Sequence, residues 1–271
     1  MTDYRYPNER LILVVTVLLV LGVIAFTSVA TLCGSLLFVA AMLLLALFLN
    51  WLHHSALIRQ ATPVTPQTMP QLDALVRETA ARLSVGNTVT YVAPAPVLNA
   101  YTFGLSDPKV IVLYAGLFSI MERDELQFIL GHEMGHVQLG HTWLNSVLGG
   151  MAGIPSPFGA AVILYFAFRW WNRACEFSAD RAGLLACGNV NKAVSALVKL
   201  ATGGAARSAA SQQYALAQLE KQDDDLGNQL GELLSTHPLV ATRIQHLRRY
   251  AASDEYRRLQ ARANQNRPGR V

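Results

Sequence analysis

From Leu11 to Leu52 the sequence contains no Asp, Glu, Lys or Arg, and a stretch so uniformly apolar has to be placed in lipid or deep within a core. Each half, Leu11 to Ala30 and Leu32 to Leu52, is long enough to cross a hydrocarbon layer of about 30 Å as a helix. A short polar patch, Thr27, Ser28, Thr31 and Ser35, breaks the run. This predicts a transmembrane helical hairpin over residues 11–52, with a tight uncharged turn and both ends on one side of the membrane. A cleaved signal peptide fits less well, because the first run is long for a signal's apolar segment and a second follows at once. Arg5 and Arg10 precede the hairpin, Arg59 follows it and the turn has no basic residue. The positive-inside tendency therefore places both termini in the cytoplasm.

The chain is 52% hydrophobic overall, more than one soluble domain needs, yet the excess is local. Beyond a tail at 1–10 and the hairpin, residues 53–70 with Pro63, Pro66 and Pro70 read as a linker. Residues 71–271 then read as one soluble domain. In it, Gln71 to Leu83 has helical spacing, and Thr88 to Val92, Val97 to Phe103 and Lys109 to Tyr114 read as short strands. The remainder is helical in pattern, including Gln212 to Leu219 and Ala241 to Tyr250, so the expected class is α+β, mainly helical, with a small β-sheet. The net charge of +4 is small, and the basic residues gather only near the end, as solvated helix faces with some attraction to anionic lipid. Nucleic acid is not an expected partner. Cys33, Cys175 and Cys187 have neither the spacing nor the even number of a disulfide framework or a cysteine metal site.

The chemistry lies in His132-Glu133-Met134-Gly135-His136. Two histidines four apart on a helix differ by about 40° around its axis, so both rings can meet one ion, and the intervening Glu sits beside that ion's water. Upstream, Leu126, Ile129 and Leu130 form an apolar helical stripe that Val137 continues. A catalytic zinc needs a third protein ligand. His141 is rejected, since it lies about 180° around an ideal helix from His132 and does not fit the HExxHxxGxxH pattern. Glu176 is better placed, on a helix read over Arg173 to Ala186, where Asp180 shares its face one turn on and can hold a zinc-bound histidine by its far nitrogen. The alternative is that both are surface carboxylates paired with Arg173 and Arg181.

These residues, with Glu176-Phe177-Ser178-Ala179-Asp180-Arg181-Ala182-Gly183, Asn99-Ala100-Tyr101 and His237-Pro238 followed by Arg243, resemble the HtpX-type membrane gluzincins, with the CAAX prenyl proteases as more distant relatives. The resemblance runs from Asn99 to Arg243. It implies a zincin-like peptidase domain holding one Zn(2+) per chain through His132, His136 and Glu176, with Glu133 activating the zinc-bound water. It further implies that His237 donates to the oxyanion, that Arg243 supports the site and that Asn99 and Ala100 align an extended substrate. By their local chemistry alone, His237 could be a helix cap and Asn99-Ala100 an ordinary edge strand. The implied partners are protein or peptide substrates and the bilayer, in a bacterial cytoplasmic membrane, with the work of membrane or misfolded-protein quality control. The alternatives are CAAX-type peptide processing and a non-enzymatic zinc-containing chaperone or adaptor.

An apolar insertion, residues 143–171, separates the histidines from Glu176. It cannot cross the membrane once, because all three ligands must meet on one side. Gly149-Gly150 and Gly153-Ile154-Pro155-Ser156-Pro157 divide it into pieces too short to span, which predicts a helical hairpin dipping into the membrane or lying on it.

Overall fold

The computed structural model describes residues 4–30, 34–142, 159–223 and 240–266. Helix α1 covers Glu9–Ala30 and α2 Gly34–Gln60. Among the described residues, α1 is the one helix long and apolar enough to cross a membrane; the turn of the expected hairpin lies outside them. Only one narrow stripe of α1 is inward-facing: Glu9, Ile12 and Thr16, spaced three and four apart, are buried while Leu11, Leu18, Phe26 and Val29 are exposed.

The sheet is built from β1 (Thr62–Pro63), β2 (Thr88–Ala93), β3 (Ala100–Phe103) and β4 (Lys109–Tyr114), in the order β1-β2-β4-β3. β2 and β4 are parallel, and β1 and β3 pair antiparallel on the outside. The expected linker thus contains a short edge strand, where Pro63 needs no ladder N–H. The second expected strand, Val97 to Phe103, starts three residues late. Pro96 and Val97 instead pass directly over Gly116, whose added Cβ would sit 2.6 Å from the Val97 carbonyl oxygen, and the chain joins the sheet only at Ala100. Alternation then turns Tyr101 and Phe103 to one face, where Leu57, Ile58 and Tyr114 pack with them.

Helix α3 (Pro70–Leu83) starts with Pro at its first position, a place where the missing N–H costs nothing. After a short 3-10 turn at Ala115–Ser119 comes α4 (Arg123–Gln138), opened by a reciprocal capping box between Glu122 and Glu125. Buried Glu125 also accepts from Lys199 (2.7 Å) and Ser195, tying the start of α4 to α6 (Val190–Ala201). Between them runs α5 (Gly159–Cys187), a single helix of 29 residues. The later part of the apolar insertion and the expected glutamate helix are therefore continuous. The rest of the insertion, residues 143–158, lies outside the described residues. Helices α7 (Ala209–Asp223), α8 (Val240–Ala251) and α9 (Asp254–Gln265) follow among the described residues. The observed class is mainly helical with a small mixed sheet, around a core that includes Leu83, Ile111, Leu113, Phe128, Leu130, Met134, Leu184, Leu197 and Ile244.

What positions the site is the seam between α4 and α5. A Cβ added at Gly131 would lie 2.4 Å from the Ala186 methyl, one at Gly135 would lie 2.6 Å from that of Ala182, and one at Gly183 would lie 2.7 Å from the Phe128 carbonyl oxygen. Small residues on both helices let the backbones approach until the polar side chains beside the seam meet.

Candidate metal centre

His132 and His136 project from α4, and Glu176 and Asp180 from α5. The Nε2 atoms of the two histidines are 3.2 Å apart. His132 Nε2 is 3.7 Å from Glu176 Oε2, and His136 Nε2 is 3.6 Å from Glu176 Oε1. Ligand atoms around a tetrahedral zinc at 2.0–2.1 Å stand roughly 3.3 Å from one another, so the three donors fit one such ion. Two imidazoles and a carboxylate are also the donor set of a catalytic rather than a structural zinc.

The far side of His132 is fixed. Its Nδ1 lies 3.0 Å from Asp180 Oδ1; an ionised carboxylate only accepts, so Nδ1 carries the hydrogen and Nε2 presents a lone pair inward. Arg243 on α8 grips Asp180 with two bonds, Nε to Oδ2 at 2.8 Å and Nη2 to Oδ1 at 2.6 Å, and its Nη1 is 3.2 Å from Glu176 Oε2. Burial alone would raise the carboxyl pKa values of Glu176 and Asp180. The Arg243 guanidinium together with the neighbouring histidines outweighs it, holding Glu176 well below the usual carboxylate range and lowering Asp180 as well. Burial would lower the His132 pKa, but the hydrogen bond to Asp180 and the charges of Glu176 and Asp180 raise it. The field between these side chains therefore favours positive charge.

Glu133 faces the same space. Burial pushes its carboxyl pKa up, against the histidines, and the Thr102 hydroxyl of β3 donates to it. β3 packs beside α4, with its outer edge unpaired by any strand among the described residues. Asn99 is exposed immediately before β3, its carbonyl accepting from the Tyr114 N–H at 3.1 Å; Ala100 opens the strand opposite Leu113.

Residues 66–251 match Peptidase family M48. The chain belongs to that family. It is similar to the plastoglobule-localized metallopeptidase 48, chloroplastic, of Arabidopsis thaliana, at 32% identity over 218 residues covering 74% of this chain and 62% of the relative. It is also similar to the protease HtpX homolog of Moorella thermoacetica, at 28% identity over 236 residues, covering 73% of this chain and 78% of the relative. Among solved structures it aligns with the crystal structure of S. mikatae Ste24p, with a TM-score of 0.49 and 18% identity, covering 89% of this chain and 65% of that one. The matches thus span slightly under two thirds of the plant metallopeptidase and of Ste24p. The HtpX kinship legible in the four sequence motifs holds, and this M48 chain has a helix of membrane-crossing length.

Of the residues singled out in this M48 chain by sequence, His132, Glu133, His136, Glu176, Asp180 and Arg243 come together in one place, with Asn99 and Ala100 at the neighbouring sheet edge. His237 lies outside the described residues. Sequence reasoning did not single out Thr102 or Glu9, and it weighed His141 only as a metal ligand, which it rejected. His141 is not part of the His132, His136 and Glu176 group, but the angle used to set it aside does not apply: α4 ends at Gln138, and Gly140 turns the chain at φ +80°, a conformation glycine adopts freely. His141 Nδ1 then sits 3.0 Å from His136 Nδ1. Burial and the neighbouring His136 and Arg5 hold its pKa well below the usual histidine value.

Proposed function

We propose that this M48 peptidase is a zinc-dependent endopeptidase, with one Zn(2+) held by His132, His136 and Glu176. The observation that carries the reading is the convergence of these three donors, at tetrahedral spacing, beside a buried Glu133 and an open strand edge. Zinc, when bound there, supplies a Lewis acid that acidifies a water and polarises the scissile carbonyl. Glu133 accepts the water's proton and delivers it to the leaving amine, a task suited to a carboxyl whose burial has raised its pKa. Thr102 keeps that carboxyl aimed. Arg243 and Asp180 hold His132 in the tautomer that ligation requires. An extended peptide adds to the edge of β3 at Asn99 and Ala100, through main-chain hydrogen bonds. By family resemblance, His237 donates to the oxyanion that develops at the carbonyl.

The chain's organisation under this reading is a tail at 1–10, a hairpin anchor at 11–52, a linker at 53–70 and the peptidase domain at 71–271. The arginines flanking the anchor favour a domain on the cytoplasmic side, and by family resemblance the membrane is a bacterial inner one and the substrates are membrane or misfolded proteins in quality control. The test is purified protein in detergent, with zinc per chain and casein cleavage measured together. Glu133→Gln should keep its zinc and lose roughly 10²–10⁴-fold in turnover, and a chelator should abolish wild-type cleavage until zinc is restored. Undiminished cleavage by Glu133→Gln would end the proposal. Mapping of the cleaved bonds separates a general endopeptidase from a CAAX-type processing enzyme, which would cut only near a modified C-terminal cysteine.

A further inference from the structure

Beyond the site so far described, four polar groups meet where the start of α1 meets the turn that follows α4. Glu9 is 1% exposed and His141 is 2% exposed. His141 Nε2 lies 3.0 Å from Glu9 Oε1. Arg5 donates to the same oxygen, and the Ser178 hydroxyl on α5 donates to the other. Ser178 in turn accepts from the Tyr6 N–H at 2.8 Å, and Arg5 also donates to the Leu139 carbonyl at 2.9 Å.

The geometry points to a positioning relay: Glu9, through His141, orients His136 for the metal, so that the first turn of the membrane helix is a working part of the metal centre. The relay rests on the reading of His136 as a ligand through Nε2. Given that ligation, His136 must carry its hydrogen on Nδ1, and its partner there, His141 Nδ1, must accept. His141 then carries its hydrogen on Nε2, the nitrogen that faces the carboxylate of Glu9, which only accepts. Every hydrogen is thereby assigned without a conflict, running from His136 to His141 to Glu9. The arrangement repeats that of the other histidine, where a buried carboxylate gripped by an arginine, Asp180 with Arg243, holds His132. Here Glu9 with Arg5 does so across one intervening imidazole.

A metal at Glu9, His141 and Cys175 themselves, whose ligating atoms also lie within 4.8 Å of one another, is a poorer reading. Both oxygens of Glu9 already accept hydrogen bonds, both nitrogens of His141 are engaged, and burial pushes the Cys175 thiol pKa far up. Burying a carboxylate is costly unless it is fully paired. A mere anchor for α1 could use apolar contacts such as Ile12 against Trp171 and Ala174.

Partners that orient a ligating histidine typically change metal affinity by about 10–100-fold when removed. The full chain in detergent should therefore bind one zinc, and Glu9→Gln and His141→Phe should each weaken zinc affinity by that factor in competition with a chromophoric chelator. Both should also shift the visible absorption of the cobalt-substituted protein. Exposed Arg10→Gln should do neither. Because Glu9 acts through His141, adding Glu9→Gln to His141→Phe should cost little more. Affinities equal to wild type, or losses that simply add, would overturn the relay, and two zinc ions per chain would favour the rejected second site over it. A wild type that binds no zinc would instead defeat the proposed function. Should the variants not fold, nitrogen NMR of the histidine-labelled wild type with zinc decides: His141 must appear protonated at Nε2 alone, and any other tautomer refutes the assignment.

Discussion

Arg243 is the residue on which most of the buried charge at the site depends, since it contacts both Asp180 and Glu176. Removing one partner of a buried ion pair leaves the other charge uncompensated and costs about 3–5 kcal/mol, whereas a surface pair costs little. Arg243→Met should therefore lower stability by an amount in that range, measured by thermal or denaturant unfolding in detergent. Arg243→Lys should lose less, because it keeps the charge but not the two-pronged grip. A Met variant as stable as wild type would mean that water already reaches Asp180. At this scale the sequence was a good guide where contacts are local. His132, Glu133 and His136 share one helix, and Glu176 and Asp180 share another, so spacing alone sets their relative directions. It was a poor guide for His141 and Glu9. Their contact spans most of α1 to α4 in sequence, and a glutamate before an apolar run reads as an ordinary first-turn acid favoured by the helix dipole. The turn at Gly140 also voided the ideal-helix angle by which His141 was judged.

Helices α4 and α5 bring the ligands together only because their seam is lined with small residues, and this makes a sharp prediction for Gly183. In isolation, Gly→Ala within a helix is favourable by about 1 kcal/mol. Here the new methyl would meet the Phe128 carbonyl oxygen at 2.7 Å and two ring carbons of Phe128 at 2.8 Å. A backbone oxygen cannot swing aside as a flexible side chain can, so the helices must part, at a cost of about 1–3 kcal/mol. Gly183→Ala is expected to be net destabilised and to bind zinc more weakly, because parting α4 from α5 separates Glu176 from the histidines. Gly22→Ala in α1, with nothing within 4 Å of the added methyl, is the control and should be neutral or stabilised. Equal melting temperatures for Gly183→Ala and wild type would show that the seam tolerates separation. Several elements were legible from periodicity, α3 and the start of the sheet among them. The single long α5 was not, because its apolar first half looks like membrane-seeking sequence and its second half like a soluble helix. No Pro interrupts Gly159–Cys187, so the backbone continues across that change of composition.

At the scale of the whole molecule, the N-terminal segment with α1 and the helices that carry the site share one structure. Tyr4 is part of the main core, and the Tyr6 ring lies 4.9 Å from that of Phe177 and 5.4 Å from that of His246. The Arg181 guanidinium stands over Tyr6 and Tyr250. Below them Ile12 closes over Trp171, Ala174 and Cys175 on α5. A fragment beginning at Ala61 keeps every proposed zinc ligand, so if the N-terminal segment were only a tether, that fragment would bind zinc as the full chain does. The structure instead removes from it both Glu9, which completes the hydrogen bonding of His141, and the residues that cover α5 beside Glu176. The fragment should bind zinc at least as weakly as the full-length Glu9→Gln variant, and it should expose apolar surface measurable by binding of a hydrophobic dye. Adding back residues 1–30 as a separate peptide in detergent should recover part of the affinity, and the same peptide carrying Glu9→Gln should recover less. If the fragment matched the full chain in zinc affinity, α1 would be a tether after all, and the metal centre would be complete within the residues that follow it.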